Sequence, residues 1–142
     1  MKKQALTLVG VLSLLLAAGS AFAQMSGPTI HANIPFKFVV DRQALPAGDY
    51  TISRLSASEP AIVLRSADGK DIKIALCTRL SVLKPAEKTK LVFRRYGTDR
   101  YFLSQVWVAG SESGRQLPKS AHESEVAMDF HSSDVIVMAS LR

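Results

Sequence analysis

The sequence predicts an all-β fold, mainly antiparallel: a sandwich or small open barrel of about seven strands with one short helix near the C-terminus. Three observations carry this reading. Apolar residues recur with period two in successive segments, the spacing that places alternate side chains on opposite faces of a pleated strand. Turn residues separate those segments, most clearly Asp68-Gly69. Only the stretch beginning at Ser120 carries helix signals.

In the first strand Ile34, Phe36, Phe38 and Val40 share a face. Pro35 has no N–H for a ladder, which predicts an edge position or an irregular start. Leu45-Pro46-Ala47-Gly48 is a turn, since Pro fixes φ and Gly admits positive φ. Asp49 to Leu55 is the second strand, with Tyr50 and Ile52 on one face, and Ala61 to Ser66 the third. Ala67-Asp68-Gly69-Lys70 reads as a hairpin turn into the fourth. There Ile72, Ile74, Leu76, Leu80 and Val82 line one face, and Lys73, Ala75, Cys77, Arg79 and Ser81 the other.

Leu83 to Thr89 is a polar loop. Lys90 to Tyr96 is the fifth strand, and Gly97-Thr98-Asp99 turns the chain into the sixth, Arg100 to Ala109. The sixth has apolar residues on both faces, as expected of a central strand covered on both sides. Gly110 to Gly114 reads as a flexible loop. Ser120 and Glu123 form a capping box, in which each side chain can satisfy a free backbone N–H at the start of a helix. Val126, Ala127 and Phe130 share a face of that helix. Asp134 to Leu141 is the last strand.

Residues 1–23 are expected to be a cleavable Sec-type leader ahead of a β-rich domain at 24–142. Lys2 and Lys3 supply the positive start, Ala5 to Ala18 the apolar run, and Ala21-Phe22-Ala23 the small-residue cut site. The apolar run is shorter than the about 20 residues needed to span a membrane. No transmembrane segment is expected after cleavage. The expected location is periplasmic or secreted, in a bacterial envelope.

Removing 23 residues from 142 leaves 119, one domain's worth of chain. Such a domain buries roughly two-thirds of its unfolded surface, enough for a core without disulfides. Cys77 is the single cysteine, so no intramolecular disulfide is available; its strand position suits a small buried or half-buried side chain. The formal net charge is +6. Without Lys2 and Lys3, 16 basic residues face 12 acidic ones, too slight an excess to argue for nucleic acid.

Motifs for chemistry are sparse. Gly110-Ser111-Glu112-Ser113-Gly114 resembles a nucleophile elbow, but Glu112 occupies the central position. His122, Glu125, His131 and Asp134 are the residues from which a metal site could be assembled, since imidazole and carboxylate suit zinc, but their spacing matches no strong metal motif. No phosphate-binding glycine loop is present and no cofactor is expected. The clearest cluster is basic. Lys88, Lys90, Arg94, Arg95 and Arg100 fall within one loop and its hairpin, with Lys84 nearby, and could hold a polyanion by charge-assisted hydrogen bonds. The reading favoured for the same residues is a solvated edge whose charges discourage aggregation.

Ile34-Pro35-Phe36-x-Phe38-x-Val40, followed by Leu45-Pro46-Ala47-Gly48-x-Tyr50-x-Ile52 and later by Gln116-Leu117-Pro118-Lys119-Ser120, resembles a group of small secreted bacterial proteins of unknown function. The resemblance implies the same layout of leader, strands and a late helix, and brings no activity with it. Leu45 to Tyr50 alone is also similar to a strand-turn-strand in adhesin β-sandwich and transthyretin-like domains.

The leading expectation is a non-enzymatic exported β-domain that acts by binding or structural association in the envelope, with an anionic envelope polymer or another envelope protein as partner. Two alternatives stand beside it. One is an envelope hydrolase or metal-dependent enzyme with a dispersed site. The other is a carrier with an apolar pocket between the sheet and the helix.

Overall fold

The computed structural model describes residues 27–142; the expected leader lies outside them. Among the described residues eleven strands and one helix follow in chain order. They are β1 (Ile30–Ile34), β2 (Phe38–Val40), β3 (Gln43–Leu45), β4 (Gly48–Arg54), β5 (Ala61–Ser66) and β6 (Ile72–Leu76). Then come β7 (Thr78–Ser81), β8 (Lys90–Tyr96), β9 (Arg100–Trp107), β10 (Ser113–Gln116), α1 (Ala121–Asp129) and β11 (Ser132–Leu141). The expected class holds, but the strand count does not. Two of the seven expected strands are each broken in two, and β3 and β10 are additional short strands.

Both breaks have the same cause: the chain passes from one layer of the fold to the other. Neighbouring strands run β3-β2-β9-β8-β11-β1-β4-β5-β6. The long β11 pairs with β8 through Ser132–Met138 and with β1 through Ala139–Leu141, so it turns one layer into the other. Opposite that corner, β6 pairs with β5 whereas β7, after Cys77, pairs with β10, which in turn pairs with β9. The circuit is therefore nearly closed, with one join made by chain continuity at Cys77. The second break is at Pro35, between β1 and β2, where a residue without an N–H is suited to leave a ladder. β2 then joins β9 in parallel, so the sheet is mixed. The Lys73 ammonium meets the Asp41 carboxylate at 3.3 Å, linking β6 to the β2–β3 turn across the two open edges.

The interior is filled from both layers. Ile30, Ile34, Phe38, Leu45, Tyr50, Ile52, Leu64, Leu91 and Phe93 are all buried in one cluster. Tyr50 seals the Leu45-Pro46-Ala47-Gly48 turn: its hydroxyl donates to the Pro46 carbonyl at 2.6 Å, and its ring stands edge-on to Phe38. Asp68-Gly69 makes the expected hairpin, with Gly69 at φ 73° and the Asp68 carboxylate accepting from Ser66 Oγ at 2.6 Å and the Lys70 N–H at 3.0 Å. Along β6 and at Cys77 just after it, the interior takes the small side chains. Ala75 and Cys77 are buried, whereas Ile72, Ile74 and Leu76 are 49%, 52% and 71% exposed.

A bulge alters the sixth expected strand. Val92 opposes Gln105 but Phe93 opposes Leu103, which leaves Ser104 as the extra residue. The parity of β9 reverses there. Phe102 and Val106, four residues apart, face opposite sides: Val106 joins the interior and Phe102 packs under α1 with Tyr96 and Val126.

The helix starts where its signals place it, and the Ser120 hydroxyl accepts the Glu123 N–H at 3.1 Å. The other half of the capping box does not form, because the Glu123 carboxylate turns into the sheet. Phe130 is not on the buried helix face either. It is the extended residue that ends the helix, and the Arg100 guanidinium lies 5.1 Å from its ring centre. The stretch expected to be a flexible loop ends in a strand. Gly114 lies in β10, so close beneath the Trp107 indole that a β-carbon there would come within 2.7 Å of the ring.

Candidate functional site

The basic residues singled out in the sequence do not share one surface. Arg94 projects from β8 toward α1 and is nearly buried, with 12% of its side chain exposed. Its Nε meets Glu123 Oε1 at 2.5 Å, its second terminal nitrogen Oε2 at 3.1 Å, and its first donates to Ser104 Oγ at 2.8 Å. The Tyr96 hydroxyl donates to the same Glu123 carboxylate at 3.0 Å. The bulge at Ser104 and the first turn of α1 thus meet over one guanidinium. Burial alone would push Arg94 down; the Glu123 carboxylate outweighs it and raises Arg94 above the ordinary arginine value. Burial, then the hydrogen bond to Glu123, raises Tyr96 above the usual tyrosine value. This is a closed structural network with its charge neutralised.

Arg95 has the opposite orientation. It pairs across the ladder with Tyr101, on the side that Phe93 and Leu103 give to the interior, and its Nε is buried without a hydrogen-bond partner. Tyr101 is itself stacked on Phe36 at 3.8 Å. Lys90 is half-buried, Lys88 and Lys84 are exposed in the loop before β8, and Arg100 lies against Phe130. Alternation along β8 and β9 therefore divides the basic cluster between two faces.

The residues considered for metal chemistry stay apart. His122 is exposed and lies beside the Phe102 ring, 5.8 Å between centres, while Glu125, His131 and Asp134 are exposed. Among the described residues no group of three or more His, Cys, Asp or Glu side chains is placed to hold a metal ion. Ser111, in the near-miss elbow, uses its hydroxyl locally on the Ser113 carbonyl and N–H at 3.0 and 3.1 Å.

The feature that residue spacing missed is the open end between the two layers. A cavity of about 300 Å³ lies there. Ile30, Ile52 and Ile62 line it from one layer and Val106 and Val108 from the other, with Arg54 and Arg115 at its polar side. It is at the barrel mouth; a second cavity, of about 450 Å³, lies against β2, β3 and β9 with His122 of α1 on its wall, beside the cluster of Tyr96, Phe102 and Val126 that packs the helix on the sheet. Register explains how the arginines come to be there. Arg54 opposes Ile62, Arg115 opposes Val106, and both hydrophobic partners belong to the interior. Arg115 also opposes Arg79 across β7, and Arg79 shares its face with buried Cys77. β4 and β10 thus bring Arg54 and Arg115 to one cavity, while Arg79, opposite Arg115, is exposed and does not line it.

Among the described residues the ion pairs are Lys73–Asp41 and Arg94–Glu123, so none of these three arginines has a carboxylate partner. Arg54 donates to the Ala57 carbonyl at 2.9 Å. Burial pushes the Cys77 thiol up, against an opposing pull from Arg115 and Arg54. The sequence holds a partial signal for this cluster: Arg54 follows Ile52, and Arg79 follows Cys77, at the two-residue spacing of one strand face. The contribution of Arg115 depends on β10, a strand that alternation does not reveal.

No protein-family model, curated protein or solved structure matches the chain.

Proposed function

We propose that this chain is an exported, non-enzymatic binding domain of the bacterial envelope that takes a small ligand with an apolar body into the mouth of its barrel. The cavity between the layers carries the reading. Its volume of about 300 Å³ lies at the lower end of the range typical of small-molecule sites, and its walls are mostly aliphatic. Aliphatic walls that remain open to solvent gain by covering apolar surface, at roughly 25 cal/mol per Å² removed from water. The positive start, apolar run and Ala21-Phe22-Ala23 cut site support export. An anionic polymer at the basic hairpin draws less support, because Glu123 neutralises Arg94 and Arg95 faces the interior.

Titration with Nile red, a neutral apolar fluorophore, tests the reading. Saturable binding with a blue-shifted emission is expected, and it should be lost in Val108→Phe, which fills the cavity from a half-buried position. A folded wild-type protein that gives no saturable signal would falsify it. Export is tested separately by the mass of protein recovered from the periplasm, expected to begin at Gln24.

A further inference from the structure

We infer that the ligand of the barrel mouth is an amphipathic monoanion, a medium-chain aliphatic carboxylate, with its chain against the aliphatic walls and its head held by Arg54 and Arg115. The inference rests on the reading of the cavity as a ligand site and adds the charge and shape of the occupant. Its basis is an imbalance. Like charges directly opposite on neighbouring strands destabilise a sheet, and Arg79 and Arg115 are directly opposite. Among the described residues no carboxylate reaches Arg54, Arg79 or Arg115. No acidic side chain lines the cavity. Low-dielectric walls of one sign of charge focus the field and raise the local concentration of a counter-ion.

The two halves of the site select different parts of one molecule. The guanidinium fork fits a planar carboxylate with two parallel hydrogen bonds, and Arg keeps its charge at every physiological pH. Ile30, Ile52, Ile62 and Val106 offer no hydrogen-bonding group, so the part of the ligand that lies on them is apolar, with Ser53, Ser111 and Ser113 elsewhere on the wall. A compact polyanion would leave the aliphatic walls wet, and a neutral alcohol would leave the arginines as they are.

Calorimetric titration of the mature protein at neutral pH with octanoate, octanol and acetate separates these cases. Octanoate is expected to bind about tenfold or more tightly than either of the others, because each lacks one half of the match. Arg54→Gln and Arg115→Gln should each weaken octanoate about tenfold and leave octanol unchanged, with circular dichroism confirming that each variant is folded. Octanol equal to octanoate overturns the anionic head and leaves the apolar site standing. Acetate equal to octanoate overturns the apolar chain. Failure of both octanoate and octanol to bind overturns the inference together with the ligand site itself.

Discussion

Glu123, at the third position of α1, closes on Arg94 of β8 through both carboxylate oxygens, at 2.5 and 3.1 Å, and only 2% of it is exposed. This pair fastens the helix to the sheet. A buried carboxylate must be matched by a cation and further donors, and Arg94 and Tyr96 supply them. That demand draws Glu123 away from the helix N-terminus, which is why only the Ser120 half of the capping box forms.

Glu123→Gln should therefore destabilise the protein by about 3 kcal/mol or more, since it strands the Arg94 charge in a nearly buried site. Urea unfolding at neutral pH measures this. Because well-packed apolar replacements often match a buried ion pair, an Arg94→Met/Glu123→Leu double variant should recover most of the loss. A single Glu123→Gln as stable as wild type would show that α1 is held by Val126 and Ala127 alone.

The contact between Gly114 and Trp107 predicts an unusually costly glycine substitution. Gly114→Ala sets a methyl within 2.7 Å of the indole, so either Trp107 moves or β10 leaves β9. The expected cost is about 1–3 kcal/mol, with altered Trp107 fluorescence. Gly69→Ala is the control. It meets no neighbour and is strained only by its φ of 73°, so it should cost about 1 kcal/mol and leave the fluorescence unchanged.

Strand β6 should invert the usual ranking of core residues. Ile74→Ser removes a large aliphatic side chain that is half in solvent, and should change stability by no more than about 1 kcal/mol. Ala75→Leu adds bulk to a filled interior and should cost about 1–3 kcal/mol. Thermal unfolding of the two variants compares them directly. The reverse order would mean that β6 presents its other face inward.

Stability should decline on the alkaline side. Tyr50 and Tyr96 both hold their protons above the ordinary tyrosine value of 10.0, chiefly through burial, with Asp71 adding to Tyr50 and Glu123 to Tyr96. Between the unfolded and the folded value the native state binds more protons, so unfolding becomes easier as pH rises through that window. The stabilisation is fully present below pH about 10 and is lost above it. Denaturant unfolding at pH about 9 and about 11 should show the drop, and Tyr96→Phe, which cannot ionise, should show a smaller one.

Much of the architecture is legible in local pattern. Lys90–Tyr96 and Ala61–Ser66 are strands with the expected bounds, the Asp68-Gly69 hairpin forms, and the helix begins after Ser120. Each of these depends on neighbours in sequence: alternation, turn chemistry or a cap. The misreadings share the opposite cause. Period two continues unbroken through Pro35 and through Cys77, yet the chain changes layers at both, because a change of partner strand need not disturb alternation. A single extra residue, Ser104, reverses which side chains of β9 face inward, and no residue type announces it. β3 and β10 are three and four residues long, too short for a period to register.

The candidate site was still less visible. Arg94 and Arg95 are adjacent in the chain and read as one basic cluster, but a pleat sends them to opposite faces, one to Glu123 and the other to the interior. Arg54 and Arg115 are far apart in the chain and line one cavity only because their ladders set them beside Ile62 and Val106.

What the sequence determined by itself is the β class, the turns and the place of the helix, because these follow from forces acting between residues a few positions apart. Tertiary structure alone decided which face of each strand is inside, where the layers exchange strands and which cations share the barrel mouth. Those outcomes depend on register between distant segments, and register is set by the packing of the whole interior and not by any one segment's pattern.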